Sequence, residues 1–301
     1  MKLAITGGTG FVGKRLVDLA VDAGHEVAAL TRRPQLDRAG VRWIEGALDG
    51  PPALAGLVTS ADAVIHVAGV VNAPDRDGFS RGNIDGTRAM IDAASAARIR
   101  RFILVSSLAA REPGLSNYGW SKVEAEKLVT ATPLDWTVVR PPAVYGPGDM
   151  EMRDTFRAAK LGLALMPPPG RISVIHVDDL ARLLLALAES PPEPTIFEPD
   201  DGTPGGWSHR DFLARAIGEA VGTRPLALAL PRPLLMLAAL ADRLFRGEHA
   251  KLTPDRVGYM CHPDWVSDPD KAPPPALWQP RIATREGLAQ TAAWYRANGL
   301  L

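Results

Sequence analysis

Short apolar runs alternate with longer segments of helical periodicity through the first half of the chain. Six runs rich in β-branched or aliphatic residues indicate strands, over Leu3–Thr6, Glu26–Thr31, Arg42–Glu45, Ala63–Val67, Arg101–Ser106 and Trp136–Arg140. Helices are predicted between them, for example over Val12–Ala23, Asn83–Ala97 and Tyr118–Ala131. Because strands that alternate with helices form parallel sheets covered on both faces, the pattern predicts an α/β fold with a doubly wound parallel sheet.

The second half of the chain is less regular. After Pro141 prolines cluster at positions 167–169, 191–192 and 273–275, and such clusters mark loops and segment boundaries. We therefore expect a smaller, irregular α/β substrate lobe there. The apolar run Leu234–Ala241 is shorter than the roughly 20 residues that cross a bilayer. A helix packed on the core or over a substrate pocket is favoured for it over association with a membrane surface.

Charge and cysteine content narrow the function classes. Lys plus Arg and Asp plus Glu are 34 each among 301 residues, so the chain has no global field to attract nucleic acid or an acidic membrane. We expect a small-molecule substrate instead. The single cysteine, Cys261, excludes an intrachain disulfide and suits a reducing compartment. The chain runs from Met1 straight into an apolar strand, without a pattern typical of a signal peptide, so we expect a cytoplasmic protein.

Three glycines follow the first predicted strand and open the next helix. Gly7 permits a tight turn, Gly10 allows close approach of a pyrophosphate, and Gly13 permits close packing of helix on strand. The helix N-terminus then faces the anion. A phosphate loop of nucleoside triphosphatases is excluded because Arg15 stands where the magnesium-binding Ser or Thr is needed. The motif predicts a dinucleotide cofactor.

The end of the second predicted strand bears on which dinucleotide binds. An NAD enzyme usually offers an acidic side chain there to the ribose 2′-hydroxyl, whereas this chain has Thr31, Arg32 and Arg33. Guanidinium groups pair well with phosphate oxygens. The sequence therefore predicts NADP (NADPH) as the preferred cofactor and NAD as the alternative.

Tyr118 and Lys122 provide the candidate chemistry. A phenol titrates near 10 in water, so it becomes a usable acid or base near neutrality only when a neighbour lowers its pKa. At a spacing of four residues both side chains project from one helical face. The Lys122 ammonium can therefore lower the pKa of the Tyr118 phenol. With a bound dinucleotide as redox partner, the pair indicates an oxidoreductase.

The ordered motifs of the chain resemble those of the short-chain dehydrogenase/reductase superfamily, in its extended or atypical branch with NAD(P)-dependent epimerases and dehydratases. Beyond the glycine motif and the Tyr118/Lys122 pair, the matching segments are Asp62–Gly69, Asn83–Thr87, Val105–Ser107, Arg140–Gly148 and His176–Ala181. The resemblance covers about two thirds of the chain and implies a Rossmann fold.

The resemblance implies a role for each residue of a Ser/Tyr/Lys site. Tyr118 matches the tyrosine that exchanges a proton with the substrate oxygen while hydride moves to or from nicotinamide. Lys122 matches the lysine that lowers the tyrosine pKa and holds the nicotinamide ribose. Ser107 matches the serine that hydrogen-bonds the reacting oxygen, and Ser106 is its structural neighbour.

The resemblance also assigns the cofactor contacts. Pro142 and Ala143 match backbone that passes the nicotinamide, and Ala68 and Gly69 match positions beside the ribose and phosphates. Many relatives have aspartate in a Gly-Asp-Leu segment at the adenine, where this chain has Gly46-Ala47-Leu48. Backbone or packing contacts must therefore bind the adenine in this chain. The predicted cofactor-binding set is Gly7, Thr9, Gly10, Phe11, Val12, Gly13, Thr31, Arg32, Arg33, Leu48, Val67, Ala68, Gly69, Tyr118, Lys122, Pro141, Pro142 and Ala143.

In the family the segment that includes His176 returns the chain from the substrate lobe to the nucleotide domain. The resemblance therefore implies interleaved domains: a dinucleotide-binding domain over 1–148 with 171–199, and a substrate-binding lobe over 149–170 with 200–301. Relatives often dimerise through the helix that carries the Tyr118/Lys122 motif, so a homodimer is an option.

Other polar residues are interpreted as structural. His66 lies inside an apolar strand and is expected to be a satisfied core histidine, and His176 is treated alike. Asp178 and Asp179 suit helix capping and lobe anchoring better than a metal. No ligand set completes a coordination shell around His249, Cys261 or His262, so no metal site is predicted.

Three functions remain open. The first is an NADPH-preferring oxidoreductase that interconverts a secondary alcohol and a ketone, or reduces an aldehyde, on a moderately apolar small molecule. The second is an NAD(P)-dependent epimerase or dehydratase of a sugar or sugar nucleotide, which would use the same Tyr118 and Lys122 and retain its cofactor. The third is a non-catalytic cofactor-binding scaffold or assembly subunit, against which the intact Ser107, Tyr118 and Lys122 set argues.

Overall fold

The computed structural model describes residues 1–247 and 250–301, so His249 lies outside the described residues. Its strands are β1 (Lys2–Thr6), β2 (Glu26–Thr31), β3 (Val41–Glu45), β4 (Ala63–His66), β5 (Arg101–Val105), β6 (Asp135–Val139), β7 (Ala143–Tyr145), β8 (Leu163–Met166), β9 (Arg171–Ile172), β10 (Val174–His176), β11 (Thr195–Phe197), β12 (Trp207–Ser208), β13 (Leu226–Ala229) and β14 (Asp264–Trp265). The α-helices are α1 (Phe11–Asp22), α2 (Pro51–Val58), α3 (Arg76–Phe79), α4 (Gly86–Ala96), α5 (Asn117–Thr130), α6 (Arg153–Lys160), α7 (Val177–Glu189), α8 (Ile217–Val221), α9 (Arg232–Arg246), α10 (Pro254–Met260) and α11 (Thr284–Ala297).

The main sheet is parallel and has the strand order β11-β6-β5-β4-β1-β2-β3. The chain moves outward from β1 in both directions, so the crevice of the topological switch point lies at the carboxyl ends of β1 and β4. The predicted doubly wound α/β fold is confirmed. Prediction and structure agree on both ends of β2 and differ by at most one residue at the ends of the other five predicted strands.

Burial explains why these runs form the centre of the sheet. In β1, Leu3, Ala4 and Ile5 are at most 1% exposed, and all four residues of β4 are fully buried. Continuous apolar runs of this kind are typical of strands covered by helices on both faces. β3 forms the edge of the sheet and is only partly buried. The covering helices pack on the strands through residues such as Leu57, Met90 and Val129.

The predicted helix over Asn83–Ala97 is wrong at its start. The helical segment begins at Arg76 with α3, where the Asp75 side chain accepts the Gly78 N–H at 2.7 Å. A π-helical turn over Ser80–Asp85 follows and leads into α4. The apolar spacing of α4 gives no sign of this earlier start, because a π turn shifts the helical period.

The chain divides into two compact units. The first comprises Met1–Arg140, Leu180–Phe197 and Pro273–Trp278, and the second comprises Pro141–Asp179, Glu198–Ala272 and Gln279–Leu301. Each unit is therefore made from separate stretches of the sequence. The boundaries inferred from the family, at 148, 170 and 199, stay predictions.

The second unit is built from small sheets and helices. Its sheets pair β7 with β10, β8 with β13, and β9 with both β12 and β14. Its largest buried cluster is rich in aromatic side chains and includes Tyr145, Phe156, Phe212 and Tyr295. The Tyr295 hydroxyl donates to the Asp149 carbonyl at 2.6 Å, which joins α11 to the turn after β7. Across the described residues, no helix has the length and apolar content that a bilayer span requires.

Candidate active site

The glycine turn after β1 has the geometry that its sequence predicts. Gly7 adopts a φ of +70°, and a Cβ there would lie 2.8 Å from the Ala68 backbone nitrogen. A Cβ on Gly13 would overlap the Gly7 carbonyl oxygen. Side chains at either position would push the turn away from β4 or α1 away from the turn. The turn therefore needs glycine at both positions.

The N-terminus of α1 is suited to an anion. Its N-cap residue is Gly10, no described side chain caps it, and its first turn holds no acidic residue. Thr9 and Gly10 are exposed, while Phe11 and Val12 are partly buried. The first N–H groups of a helix have no intrahelical acceptors, and they carry the positive end of the helix dipole. This end of α1 fits the pyrophosphate of a dinucleotide.

The segment after β2 presents two arginines to solvent. Thr31 is buried, and its hydroxyl donates to the Arg33 carbonyl at 2.7 Å. The Arg33 N–H lies 3.3 Å from the same hydroxyl oxygen. This turn holds the backbone while the side chains of Arg32 and Arg33 remain exposed. The arrangement supplies donors for an anionic group at the end of β2.

Tyr118 and Lys122 lie on the first turns of α5. The Ser116 hydroxyl caps this helix by accepting the Gly119 N–H at 2.9 Å. Lys122 is 8% exposed, and its Nζ donates to the Val105 carbonyl at the end of β5 at 2.9 Å. Tyr118 is half-buried, with its ring centroid 6.2 Å from that of Phe79. A buried ammonium and a partly accessible phenol therefore follow each other on one helix face.

Burial sets the electrostatics of the lysine. Desolvation lowers the pKa of Lys122 from 10.5 to about 8, and the nearby Glu126 carboxylate opposes this by raising it. A buried ammonium loses its hydration, so its neutral form is favoured relative to water. The charge of Lys122 is therefore poised close to physiological pH.

Asn83 and Ser121 connect α5 to the π turn. The Asn83 amide donates to the Ser121 hydroxyl at 2.8 Å and to the Val70 carbonyl at 3.0 Å, and its oxygen accepts the Val70 N–H at 2.7 Å. The Ser121 hydroxyl donates to the Tyr118 carbonyl at 2.8 Å. These bonds hold the backbone of Tyr118 against the loop after β4. The sequence motif that contains Asn83 indicated the family but not this positioning contact.

A second buried network lies on the same helix. Arg140 binds Glu126 through two bonds, of 2.9 and 2.6 Å, and Ser106 donates to Glu126 at 2.5 Å. Glu126 is 3% and Ser106 is 4% exposed. This network was missed at the sequence level. Its available signal was that Glu126 stands four residues after Lys122, on the same face of a helix.

The two serines after β5 are in different environments. Ser106 is buried and bound to Glu126, whereas Ser107 is partly exposed. The Ser107 hydroxyl oxygen accepts the Ala109 N–H at 3.2 Å and caps the 3₁₀ turn Leu108–Arg111. A hydroxyl that accepts an N–H retains its own proton for donation.

His66 is a core histidine with both ring nitrogens bonded, as predicted. Its Nδ1 lies 2.8 Å from the Thr6 hydroxyl and its Nε2 lies 3.2 Å from the Thr87 hydroxyl. Thr6 accepts the Ala68 N–H at 3.1 Å, and Thr87 donates to the Asn83 carbonyl at 2.6 Å. Burial and the Lys122 charge lower the pKa of His66 to about 3, so the ring stays neutral and structural.

Several predicted cofactor positions come together beside Lys122. A Cβ on Gly69 would lie 3.4 Å from Lys122 Nζ and 2.8 Å from Asn83 Oδ1, and Gly7 approaches Ala68. Val67 is partly buried just after β4. The Lys122 side chain and the glycine turn therefore lie at one edge of the first unit.

The remaining predicted cofactor positions belong to the core of the first unit and to the second unit. Leu48 is partly buried and packs against the main core, where a Cβ on Gly86 would lie 2.6 Å from its Cδ1. Pro141, Pro142 and Ala143 fall in the second unit, where Ala143 begins β7. Their contact with a nicotinamide stays a prediction.

The predicted anchoring role of Asp179 is confirmed. Its carboxylate accepts the backbone N–H of Arg281 at 3.1 Å and of Ile282 at 3.1 Å within the second unit. Over residues 1–247 and 250–301, no group of three His, Cys, Asp or Glu side chains forms a candidate metal site.

Residues 7–191 match a family model described as NAD(P)H-binding. The chain belongs to this NAD(P)H-binding family, within the short-chain dehydrogenase/reductase superfamily. This short-chain dehydrogenase/reductase is an NAD(P)-dependent oxidoreductase with a Rossmann-like sheet. The matched stretch contains the glycine turn, the arginine pair after β2, and Ser107, Tyr118 and Lys122.

Two relatives of this short-chain dehydrogenase/reductase that match over nearly their whole length are named reductases. A ceramide reductase of Caulobacter vibrioides is 37% identical over 99% of this chain and 96% of the relative. A 2-alkyl-3-oxoalkanoate reductase of Stenotrophomonas maltophilia is 28% identical over 97% of this chain and 99% of the relative. The structure of MoeE5 in complex with UDP-glucuronic acid and NAD is similar in fold, with a TM-score of 0.76, 23% identity and 99% of both chains covered.

Proposed function

We propose that this protein is an NADPH-preferring reductase of a ketone on a lipid-like molecule that carries long alkyl chains. Tyr118 is the proton donor, Ser107 the hydrogen-bond donor to the substrate oxygen, and Lys122 the cation that adjusts Tyr118. The observation that carries the proposal is the buried Lys122 ammonium, held on the Val105 carbonyl one helical turn after Tyr118.

The arrangement supports a definite division of labour. NADPH, when bound, supplies the hydride that reaches the carbonyl carbon. Tyr118 gives its hydroxyl proton to the carbonyl oxygen, so the product is a neutral secondary alcohol. The Lys122 charge favours the phenolate that remains. The Ser107 hydroxyl stabilises the negative charge that develops on the oxygen during transfer.

The environments of the two serines support Ser107 over Ser106 for this role. Ser106 is buried and already donates its proton to Glu126. If Ser106 turned to a ligand instead, the Glu126 carboxylate would lose one of its hydrogen-bond partners. Ser107 accepts an N–H and is partly exposed. Its own proton can therefore be directed at a ligand.

The relatives support the substrate class. Their names describe a ceramide and a 2-alkyl-3-oxoalkanoate, both of which combine a polar head with alkyl chains. The 3-oxo group of the second name is the kind of ketone that a Ser/Tyr/Lys site reduces. A sugar nucleotide has less support, because the neighbour with UDP-glucuronic acid is only 23% identical and speaks for the fold alone.

The exposed arginine pair after β2 supports NADPH. Two guanidinium groups complement a 2′-phosphate, and hydrogen bonds between charged groups are about twice as strong as neutral ones. The buried Thr31 hydroxyl fixes the backbone of the turn that carries them. No acidic residue stands at Thr31, Arg32 or Arg33 to accept a ribose 2′-hydroxyl.

The test follows NADPH oxidation with long-chain 3-oxo esters and 3-oxo amides as substrates. Wild-type protein is expected to oxidise NADPH, and Tyr118→Phe is expected to lose about 10²–10⁴-fold in kcat/KM, the range for removal of a general acid. Tyr295→Phe is the matched control, since it loses only a hydrogen bond to the Asp149 carbonyl.

Three results would overturn the proposal. Equal turnover by wild type and Tyr118→Phe would remove the tyrosine from the chemistry. NAD that copurifies in stoichiometric amount, without net oxidation of NADPH on any ketone, would instead indicate epimerisation. Binding of NADPH without turnover of either kind would indicate a scaffold.

A further inference from the structure

Helix α9 of the second unit exposes a row of large apolar side chains. We call the row formed by Leu234, Leu237, Leu240, Leu244 and Phe245 the α9 face; these side chains are between 50% and 85% exposed. Single exposed leucines are ordinary on protein surfaces, but a contiguous apolar face marks an interaction site.

The α9 face lies opposite the side of the helix that is packed. Leu235 and Ala239 are buried against Val257 of α10. Leu237, Leu240 and Leu244 are spaced by three and four residues and therefore share one side of the helix. The helix thus has two apolar sides, and the second unit uses one of them for its own packing.

The strand before α9 repeats this arrangement. β13 pairs in parallel with β8, and the pairing aligns Leu228 with Leu165 and Leu226 with Leu163. On the other side of this small sheet, Ala164 and Met166 are buried against Ala214. Since alternate residues of a strand point to opposite faces, the leucines form one sheet face, on which Leu165, Leu226 and Leu228 are 40–64% exposed.

The charge around these leucines is basic, although the chain as a whole is neutral. Between positions 222 and 247 the sequence contains four arginines and a single acidic residue, Asp242. Arg224 and Arg232 precede the α9 face, and Arg243 and Arg246 fall in the last turn of the helix. Asp242 pairs with Arg246 at 3.2 Å. Helix α9 and the residues before it therefore carry net positive charge.

We propose that the α9 face docks on the surface of a lipid bilayer that contains anionic phospholipids. Leucine and phenylalanine side chains would enter the boundary between headgroups and acyl chains, while the arginines reach the phosphates. The helix would lie in the plane of the interface. This inference rests on the surface of the second unit and holds independently of the proposed reductase activity.

Charge distinguishes the bilayer from a second copy of the chain. In a twofold dimer the same surface patch faces itself, so the four arginines of each copy would approach those of the other with only one carboxylate per copy, Asp242, to offset them. An anionic headgroup layer is complementary to the same patch, and each arginine near it contributes about 1 kcal/mol to binding.

The experiment is flotation of the full-length protein with vesicles of phosphatidylcholine, with and without phosphatidylglycerol. Wild-type protein is expected to float with the anionic vesicles. Leu237→Glu combined with Leu240→Glu is expected to reduce the partition coefficient by about a hundred-fold or more, because burial of each leucine contributes about 1.5–3 kcal/mol. Arg232→Gln with Arg243→Gln is expected to reduce it roughly 30-fold on anionic vesicles.

Leu36→Glu is the matched control, because Leu36 is 91% exposed but belongs to the first unit. It is expected to float like wild type. Absence of wild-type protein from anionic vesicles overturns the inference, as does equal flotation of all variants. Sedimentation of the unbound protein as a dimer that Leu237→Glu with Leu240→Glu dissociates would assign the face to a second copy instead. NADPH oxidation is measured separately and tests the reductase proposal alone.

Discussion

The two units of the protein place their polar and apolar groups in opposite ways. In the first unit the polar residues Lys122, Glu126 and Ser106 are buried. Among its described residues, the large apolar side chains that are exposed are scattered; they are Met1, Leu36 and Val71. The second unit exposes leucines in rows on α9 and on the small sheet of β8 and β13. The first arrangement suits chemistry on a bound molecule, and the second suits contact with an extended surface.

The contrast shows how one chain can assign the reaction to one unit and contact with a partner surface to the other. Burial of the first unit's charged groups holds their geometry, and in the case of Lys122 it lowers the pKa. Exposure of the second unit's leucines costs folding free energy that burial would have gained, so the pattern calls for a partner. Variants in each unit should therefore affect different measurements.

The largest expected effect is that of Lys122→Met on turnover. Removal of the buried ammonium eliminates the charge that favours the Tyr118 phenolate, so kcat/KM for ketone reduction should fall by about 10²–10⁴-fold. Lys127→Met on the same helix is the control, because Lys127 is exposed and pairs only at the surface with Glu124. Vesicle flotation of Lys122→Met should match wild type. A loss of flotation would break the proposed separation of the units.

The next effect concerns stability of the first unit. Glu126→Gln leaves the Arg140 side chain, which is only 12% exposed, without its carboxylate, and removal of one partner from a buried pair costs about 3–5 kcal/mol. We expect the free energy of unfolding in urea to fall by that amount. Glu124→Gln, at a partly exposed site of α5, should change it by less than about 1 kcal/mol. Equal effects of the two variants would contradict a structural role for the network.

A smaller effect is expected on cofactor affinity. Arg32→Ser with Arg33→Ser should raise the Kd for NADPH by about 10–100-fold, since hydrogen bonds to charged groups contribute about 1.5–3 kcal/mol. The Kd for NADH should stay within about two-fold. Arg42→Ser, an exposed position on β3, is the control in the same fluorescence titration. An equal rise in the Kd for NADPH and the Kd for NADH would show that the arginines shape the loop rather than select the phosphate.

The smallest expected effect is a shift in pH dependence. The pKa of Lys122 is lowered from 10.5 to about 8, so the charged form predominates below that pH and is lost as the pH rises through it. We therefore expect kcat/KM for reduction to decline above about pH 8. Glu126 raises the pKa of Lys122, so in Glu126→Gln the decline should begin at lower pH. If the pH profile of kcat/KM were the same in Glu126→Gln as in wild type, the titration of Lys122 would not control the rate.

The strands of the parallel sheet and the placement of Tyr118 and Lys122 on one helix were predictable from sequence, because each depends on local periodicity. The β2 strand, the glycine turn and the spacing of Tyr118 and Lys122 need only nearby residues. The pairing of Glu126 with Arg140 was not predictable in this way, because it depends on how the end of β6 meets α5. The same holds for Asn83, whose partners lie on the loop after β4 and on α5.

The α9 face shows a different limit. The apolar run Leu234–Ala241 was interpreted mainly as packing, and Leu235 and Ala239 do pack. Periodicity alone could not show that the remaining leucines face outward, because both sides of the helix are apolar and the packed side is chosen by Val257 of α10. Tertiary contacts decide which side of such a helix is covered.

The return of the chain to form β11 determines how the protein can be divided. β11 pairs with β6 at the edge of the main sheet. The Arg101 guanidinium and the Thr137 hydroxyl both donate to backbone carbonyls of the returning segment, those of Leu187 and Glu193. A fragment that stops after β6 would therefore leave the edge of β6 unpaired and remove the Leu187 carbonyl from the acceptors of Arg101, which would keep the Asp135 carbonyl and the Thr137 hydroxyl. An unpaired edge invites strand exchange between molecules. The sheet of the first unit is therefore complete only when Leu180–Phe197 is present together with Met1–Arg140.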